Sequence, residues 1–202
     1  MKTAGVSAAE NQYRSGVICM KAFIRRMAMP ITTLGIGSRL CIWFSGCERR
    51  CYNCISQDLK IRRKADEIEL ESVISIMKRG VSEGKITGVT LSGGEPFLQS
   101  EAVFSITQFA RSLQLDTLVY TGFTLSELKA LDLSSRLECI DVLVTGEYAD
   151  SFNNRKERLA RLRGSCNQAV IFNNKELVRP YLDYCAEQRQ VTIIDKNVIG
   201  IP

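Results

Sequence analysis

Three cysteines lie within eight residues of one another, and they constrain this chain more than any other feature. Cys47, Cys51 and Cys54 have the spacing C-x3-C-x2-C, and a Ser-Gly-Gly-Glu-Pro segment begins further along at Ser92. Three close thiolates from one loop can hold three corners of a cubane iron–sulfur cluster and leave the fourth iron without a protein ligand. Because a small molecule can chelate and react at such an iron, the spacing predicts chemistry at a cluster.

Four other uses of these cysteines stay open. A structural zinc site needs four protein ligands, but the chain has no histidine. The nearest fourth thiol, Cys41, lies in an apolar run and is predicted to be a buried strand residue. A fully protein-ligated cluster needs a fourth cysteine, whereas Cys139, Cys166 and Cys185 are scattered singly. Disulfides are disfavoured because nothing marks the chain as secreted, and a redox switch needs fewer thiols.

Strand-like and helix-like patterns alternate along the chain. Strands are predicted at 17–29, 40–45, 86–92, 117–120, 139–144, 169–172 and 191–194, and helices at 69–83, 99–115, after Thr124 and at 176–188. Thr124 and Glu127 have the spacing of a capping box. This alternation predicts an α/β fold whose parallel sheet has right-handed crossovers. Ligands bind such sheets at the carboxyl ends of strands, where both marked segments lie.

A cysteine triad followed by a strand that ends in Gly-Gly-Glu-Pro resembles the radical SAM superfamily. The closer resemblance is to the activating proteins of anaerobic ribonucleotide reductase and of other glycyl radical enzymes. The stretches that carry it follow the same order as in that group: 34–39, 42–47, 90–98, 141–144 and 163–168. The resemblance spans residues 31–175 and implies an incomplete, partial parallel β/α barrel of the radical SAM type, for which about six strands would suffice.

The resemblance also implies two cofactors and their ligands. Cys47, Cys51 and Cys54 would hold a [4Fe–4S] cluster, and S-adenosylmethionine would chelate its fourth iron. Reductive cleavage of S-adenosylmethionine then yields methionine and a 5′-deoxyadenosyl radical, which abstracts hydrogen from the substrate. Because the cofactors perform this chemistry, no side chain is assigned as catalytic. The residues expected to bind S-adenosylmethionine are Asn53, Ser92, Gly93, Gly94, Glu95, Thr121, Asp141 and Asn167.

These binding residues have different expected contacts. Two glycines let the backbone approach the methionine end of the ligand, where their carbonyls and Glu95 can meet the ammonium group. The alternative for this segment is a tight turn after a strand. Asn53 stands where the superfamily often has an aromatic residue against the adenine, so Tyr52 or Ile55 would otherwise take that role. Thr121 ends a predicted strand and would serve the ribose, whereas Asp141 begins one.

The chain is too short to contain a large substrate domain, which favours a substrate that brings its own surface. The resemblance implies a glycyl radical enzyme as the protein substrate and an electron donor such as flavodoxin or ferredoxin. One alternative is radical modification of a peptide or a small molecule. A second alternative is a non-catalytic metal-binding interaction module that kept the cysteine spacing.

The net charge of +5 is unevenly distributed, with basic runs at 60–64 and 155–163. Each run is either a solvated face or part of a basic rim for an acidic partner or a phosphorylated substrate. We predict that 155–163 docks or gates the partner. Nucleic acid is disfavoured because aromatic residues do not accompany the basic ones. No apolar run is long enough to span a membrane, so we expect a cytoplasmic protein, disordered over 1–16, with one domain over 17–202.

Overall fold

The computed structural model describes residues 20–152, 161–186, 193–194 and 197–198. Seven strands form one open sheet in the order β3-β1-β2-β4-β5-β6-β7. The strands are β1 Lys21–Ile31, β2 Arg39–Phe44, β3 Glu67–Glu69, β4 Gly88–Gly93, β5 Asp116–Thr121, β6 Val142–Thr145 and β7 Ala169–Phe172. The helices are α1 Leu70–Ser82, α2 Ser100–Ser112, α3 Leu125–Ala130, α4 Ser134–Leu137 and α5 Val178–Ala186.

The sheet is mixed, which corrects the prediction of a wholly parallel sheet. The central strands β2, β4, β5 and β6 are parallel to one another, and helices connect them as predicted. In contrast, β1, β3 and β7 pair antiparallel at the two flanks. A short connection is sufficient for an antiparallel pair, and the loop from β1 to β2 is too short for a crossover helix. The α/β prediction is therefore confirmed. The sheet is open, because its edge strands β3 and β7 do not pair with each other.

Helices α1 and α2 cover one face of the sheet because each has an apolar stripe. Leu70, Val73, Ile74 and Met77 recur at helical spacing in α1 and are all buried. Helix α2 buries Val103 and its neighbours in the same core cluster, which also contains side chains from β2, β4 and β5. Alternate residues of each strand point toward α1 and α2. Packing against these two helices therefore holds the parallel strands in register.

Helix α5 covers the amino end of the other face. Tyr181 and Tyr184 are buried there with Leu118 and Val142. The hydroxyl of Tyr184 donates to Thr33 O at 2.6 Å, which ties the helix to the loop before β2. This face is consequently closed at the end of the sheet where the parallel strands begin.

Several sequence predictions shift at their boundaries. The strand predicted over 139–144 begins at Val142, and the helix predicted over 176–188 spans Val178–Ala186, with residues 187 and 188 outside the described residues. The capping box of α3 is confirmed, since Thr124 Oγ1 accepts from Glu127 N and the Glu127 carboxylate accepts from Thr124 N.

The last described residues form a small second sheet. Strands β8 Ile193–Ile194 and β9 Asn197–Val198 form a separate two-stranded sheet, whereas the sequence predicts one strand over 191–194. Residues 1–16, predicted to be disordered, and most of the basic run 155–163 lie outside the described residues. Among the described helices, none is long and apolar enough to cross a membrane.

Candidate functional site

The cysteine loop starts directly after β2, at the carboxyl end of the parallel strands. Its backbone is fixed at its beginning, because Gly46 N donates to Leu59 O at 2.7 Å and Cys47 N donates to Lys60 O at 3.0 Å. Gly46 has a φ of +100° and lies so close to the Arg62 side chain that an added Cβ would be 2.5 Å from its Nε. A glycine is therefore required where the loop leaves the strand.

The Gly-Gly-Glu segment after β4 is hydrogen-bonded to this loop. Gly94 N donates to Phe44 O at 2.8 Å, and Glu95 N donates to Gly46 O at 2.8 Å. A Cβ added to Gly93 would lie 2.4 Å from Phe44 N and O, and one added to Gly94 would lie 2.4 Å from Gly46 O. Both glycines thus permit close packing of two backbones. This packing is a second reason for the two glycines, beside the room for a ligand that the sequence predicts.

Glu95 connects the ends of β4 and β5. The side chain is buried, and its carboxylate accepts from Thr121 Oγ1 at 2.7 Å, Gly122 N at 2.7 Å and Phe97 N at 3.0 Å. Burial raises the pKa of Glu95, while these three hydrogen bonds act in the opposite direction. The carboxylate is therefore occupied by protein donors, and the two strand ends that flank the site are held at a fixed separation.

Arg49 attaches the cysteine loop to the ends of β5 and β6. Its guanidinium lies 4.6 Å from the centroid of the Phe123 ring, and its Nη2 donates to Glu127 Oε1 at 2.7 Å. Its Nη1 lies 3.9 Å from Glu147 Oε2. The neighbouring Arg50 is exposed. These contacts of Arg49 were not predicted, because Phe123, Glu127 and Glu147 are distant along the chain.

The loop after β6 supplies further contacts to the cysteine loop. The Glu147 carboxylate helps to raise the pKa of the Cys51 thiol, and Asn53 Nδ2 donates to Asp150 Oδ2 at 3.2 Å. Asn167 Nδ2 donates to Glu147 O at 2.8 Å. Glu147 and Asp150 were not among the predicted site residues, although both follow a predicted parallel strand at its carboxyl end. Their position after that strand could have identified them from the sequence, because ligands bind at the carboxyl ends of parallel strands.

The predicted binding residues gather at this end of the sheet with one exception. Ser92, Gly93, Gly94, Glu95 and Thr121 lie at the ends of β4 and β5, and Asn53 and Asn167 lie at the rim.

Asp141 is the exception, because it lies at the amino end of β6. Asp141 Oδ2 accepts from Thr117 N at 2.9 Å and from Thr117 Oγ1 at 2.8 Å. Thr121, at the carboxyl end of β5, is four residues beyond Thr117, or roughly 13 Å along the strand. The structure therefore does not bring Asp141 together with the other predicted site residues, and its hydrogen bonds join β5 to β6.

The donor set of the cysteine loop fits an iron–sulfur cluster. All three thiols are half-buried, and none of the described cysteines forms a disulfide. Burial raises the pKa of Cys47, and burial with the Glu147 contact raises the pKa of Cys51 to about 11. Among the described residues, no three Cys, His, Asp or Glu side chains are close enough together to hold a metal ion. Cluster binding therefore requires the thiols to converge, and soft thiolates are the ligands that iron–sulfur clusters use.

Cys41 has no part in this donor set. It is buried in β2 as predicted, and burial raises the pKa of its thiol to about 12. It packs with Ile31 and Leu34 on the face of the sheet opposite α1 and α2. A thiol in these surroundings is a packing residue.

Comparisons with known proteins give the same assignment. Residues 33–171 match the model of a family described as "4Fe-4S single cluster domain". The chain is 31% identical over 145 residues to an anaerobic ribonucleoside-triphosphate reductase-activating protein from Pasteurella multocida (strain Pm70), which covers 67% of this chain and 88% of that protein. It is also 31% identical over 68 residues to a GTP 3',8-cyclase from Nitrobacter winogradskyi (strain Nb-255), which covers 34% of this chain and 20% of that protein.

The family match and both relatives confirm the resemblance and the two predicted cofactors, a [4Fe–4S] cluster and S-adenosylmethionine. The family match alone covers well over half of the chain and includes the cysteine loop, the Gly-Gly-Glu segment and the loop after β6. This chain therefore belongs to the 4Fe-4S single cluster domain family, within the radical SAM superfamily.

Proposed function

We propose that the protein reductively cleaves S-adenosylmethionine to generate a 5′-deoxyadenosyl radical, and that this radical installs a glycyl radical on a partner enzyme. The observation that carries the proposal is the backbone connection between Gly94–Glu95 and Phe44–Gly46. This connection holds a segment suited to the methionine end of the ligand directly beside the cysteine loop. The open sheet is consistent with a partial β/α barrel of the radical SAM type, to which we assign it.

Cys47, Cys51 and Cys54 are the proposed iron ligands, and the other cysteines are not. A [4Fe–4S] cluster held by these three thiolates would supply an iron with no protein ligand for chelation of S-adenosylmethionine and the electron for its cleavage. The chain's own residues hold the loop in place. Glu95 fixes the ends of β4 and β5, and Arg49 fixes the loop against β5 and β6.

The remaining predicted residues have binding roles in this proposal. The Gly93 and Gly94 carbonyls accept from the ammonium group of the ligand, and Ser92 lies on the same strand end. Thr121 is at the end of β5 where the ribose is expected, although its hydroxyl already donates to Glu95. Asn53 and Asn167 line the rim. Asp141 is assigned to the structure instead, because it bonds Thr117 at the other end of the sheet.

The proposed substrate is a glycyl radical enzyme, and the relative from Pasteurella multocida supports this choice. That protein is named as an activator of anaerobic ribonucleoside-triphosphate reductase, and the alignment covers 88% of it. An electron donor such as flavodoxin or ferredoxin and a cytoplasmic location complete the proposal. Iron–sulfur clusters are assembled and kept reduced in that compartment, where thiols also remain free.

Anaerobic reconstitution tests the proposal in three steps. Iron and sulfide analysis should show one four-iron cluster for each chain. Calorimetry should show that S-adenosylmethionine binds the loaded protein more tightly than the apoprotein, since the open iron supplies a main anchor. Incubation with dithionite should produce methionine and 5′-deoxyadenosine, and addition of the glycyl radical partner should give the electron paramagnetic resonance doublet of a glycyl radical.

The outcome separates the alternatives. Equal affinity of apoprotein and loaded protein, without cleavage, would indicate a non-catalytic metal-binding module. Cleavage without a glycyl radical in any partner would indicate a peptide or small-molecule substrate. The match to a GTP 3',8-cyclase favours the small-molecule class as the second candidate, although it covers 20% of that protein. A glycyl-radical sequence encoded beside this gene would favour the activase.

A further inference from the structure

The cysteine loop contacts the loop after β6 on both sides of Cys51. Two residues before Cys51, Arg49 Nη1 lies 3.9 Å from Glu147 Oε2. Two residues after it, Asn53 Nδ2 donates to Asp150 Oδ2 at 3.2 Å. Cys51 is thus held beside the beginning of this loop, in agreement with a pKa of its thiol that is raised by burial and by the Glu147 carboxylate. A carboxylate therefore lies next to one of the proposed iron ligands.

The backbone around Glu147 is anchored to its neighbours. Gly146 N donates to Phe123 O at 2.9 Å, and Glu147 O accepts from Asn167 Nδ2 at 2.8 Å. Strand β6 ends at Thr145, only two residues earlier. The strand and these hydrogen bonds consequently place Glu147 at the carboxyl end of the parallel strands, where a ligand is expected.

Glu147 differs from other carboxylates at this end of the sheet. Three of those already accept hydrogen bonds from protein donors at both carboxylate oxygens, namely Glu95, Glu127 and Asp150. The ion pair of Glu147 with Arg49 is longer than a hydrogen bond at 3.9 Å, and 45% of the Glu147 side chain is exposed. Glu147 can therefore exchange its partner at a smaller cost in protein hydrogen bonds than these three.

A carboxylate in this position suits the iron that the cysteine loop leaves open. Carboxylates bind iron in non-haem sites, and the chain has no histidine that could take this role. We propose that Glu147 is an exchangeable iron ligand, which binds the open iron of the cluster until S-adenosylmethionine replaces it. This inference rests on the proposed function, because it requires a cluster on Cys47, Cys51 and Cys54.

The exchange is a substitution of ligands without electron transfer. The bond between the Glu147 carboxylate and iron breaks, and iron forms bonds to the amino nitrogen and the carboxylate oxygen of S-adenosylmethionine, whose ammonium proton passes to the solvent. Two opposite effects follow from it. Glu147 protects the open iron from loss while S-adenosylmethionine is absent, and it competes with S-adenosylmethionine for the same iron.

Removal of the carboxylate tests both effects. Glu147→Gln keeps the size of the side chain, and Glu48→Gln is the matched control because it removes the same charge from the exposed residue directly after Cys47. The variants and the unsubstituted protein are reconstituted anaerobically. Mild oxidation then removes the open iron, and electron paramagnetic resonance follows the [3Fe–4S] product over time. Calorimetry measures the affinity for S-adenosylmethionine.

We expect Glu147→Gln to lose the open iron about tenfold faster than the unsubstituted protein, which is the scale on which groups around a metal site change metal affinity. It should also bind S-adenosylmethionine about tenfold more tightly, because a site that is free in only a fraction of the molecules binds more weakly in proportion to that fraction. Glu48→Gln should match the unsubstituted protein in both measurements. With saturating S-adenosylmethionine, all three proteins should lose iron at the same rate.

Three results would overturn the inference. Equal iron loss in Glu147→Gln and Glu48→Gln would show that Glu147 does not bind the iron. Faster loss with unchanged affinity for S-adenosylmethionine would mean that Glu147 only supports the cysteine loop. Weaker binding of S-adenosylmethionine by Glu147→Gln would make Glu147 a contact of that ligand instead of its competitor.

Two further measurements keep the test decisive. Urea unfolding of the apoproteins checks that Glu147→Gln is folded, and Glu147→Asp, which keeps the charge on a shorter side chain, replaces it if it is not. A ligand should be impaired by the shorter reach, whereas a group that acts by charge alone should not. Dithionite-driven cleavage of S-adenosylmethionine by the unsubstituted protein tests the proposed function separately. If a cluster forms but no cleavage occurs, that function fails, and the rates of iron loss still decide the role of Glu147.

Discussion

The two ends of the parallel sheet both contain an arginine that contacts a carboxylate, but the two arginines differ in their surroundings. At the amino end, Arg39 is fully buried and its Nη2 lies 2.8 Å from Asp116 Oδ1. Its other donors are used by Thr90 Oγ1 at 2.6 Å, Val89 O at 2.8 Å and Ile36 O at 2.9 Å. At the carboxyl end, the side chain of Arg49 keeps 21% of its surface exposed.

This difference separates a structural cluster from a functional one. Every partner of Arg39 belongs to the sheet or to the loop before β2, and Tyr181 of α5 donates to Asp116 as well. A buried charge with its donors satisfied in this way stabilises one arrangement of the strands. Arg49 instead joins loops from three strand ends around cysteines with free thiols. The amino end therefore holds the fold together, while the carboxyl end positions the groups that are proposed to bind ligands.

The largest expected effect separates the three loop cysteines from the rest. Cys47→Ala, Cys51→Ala or Cys54→Ala should each abolish cluster loading, since a cubane cluster held by this loop needs all three thiolates. Cys41→Ala and Cys139→Ala should load normally, because neither thiol belongs to the loop. Iron and sulfide analysis after anaerobic reconstitution gives the result. Full loading of Cys51→Ala, or loss of loading in Cys41→Ala, would overturn the ligand assignment.

The second prediction removes the charge at the amino end. Arg39→Ala should lower the free energy of unfolding by about 3–5 kcal/mol, because it removes the cation paired with the Asp116 carboxylate and one donor from each of three backbone carbonyls. Urea unfolding of the apoprotein measures the loss. Arg136→Ala is the matched control, since Arg136 pairs with Glu101 on the surface and such pairs contribute about 1 kcal/mol or less. Equal losses in the two variants would show that the buried cluster has no special structural role.

The carboxyl end was more predictable from the sequence than the amino end. The cysteine spacing and the Gly-Gly-Glu segment are local, and the rule that ligands bind at the carboxyl ends of parallel strands is enough to place them together. The contacts of Arg39 could not be predicted from the sequence, because Asp116 and Tyr181 come from distant segments. The direction of β1 and β7 was missed for a similar reason, since periodicity shows that a strand exists but not how it pairs.

Residue roles at the site were predicted less well than their location. The two glycines were expected to make room for the ligand, and the sequence did not show the second reason for them, which is that an added Cβ would meet the backbone of Phe44 or Gly46. Asp141 was chosen from a short stretch that resembles the family, yet it precedes β6 rather than following it. A one-dimensional pattern identifies which loop is near the site, but the direction of each side chain depends on packing between segments.

The third prediction tests the packing of the two glycine-containing loops. Gly94→Ala should cost about 1–3 kcal/mol of unfolding free energy, because the new Cβ meets backbone that must shift. Gly122→Ala, the control, places its Cβ 3.3 Å from the Arg49 and Glu95 side chains, which can move, so a smaller loss is expected. Urea unfolding of both apoproteins decides the comparison. If the Gly94 variant is the more stable of the two, contact with the cysteine loop does not constrain this position.

The last prediction concerns Arg49 and has the smallest expected effect on unfolding. Arg49→Ala should lower the free energy of unfolding by about 1 kcal/mol or less, because the ion pair is partly exposed and the contact with Phe123 is modest. Iron retention should respond more strongly, since Arg49 is what ties the cysteine loop to Phe123, Glu127 and Glu147. Groups that orient metal ligands typically contribute about tenfold or more to metal affinity. We therefore expect the reconstituted variant to lose iron to a chelator about tenfold faster than the unsubstituted protein.

Arg50→Ala is the matched control for this experiment, since it removes the same charge from the exposed neighbour of Arg49. If charge alone stabilises the cluster, the two variants should lose iron at similar rates and Arg49→Lys should restore the original rate. If the contacts of the guanidinium matter, Arg50→Ala should behave like the unsubstituted protein and Arg49→Lys should recover only part of the loss, because an ammonium group cannot reproduce the planar contact with Phe123.

The electron paramagnetic resonance spectrum of the reduced cluster gives an independent readout, since a displaced loop alters the cluster environment whereas lower stability alone does not. Equal iron retention and identical spectra in Arg49→Ala and Arg50→Ala would show that Arg49 is no more important to the cysteine loop than its exposed neighbour.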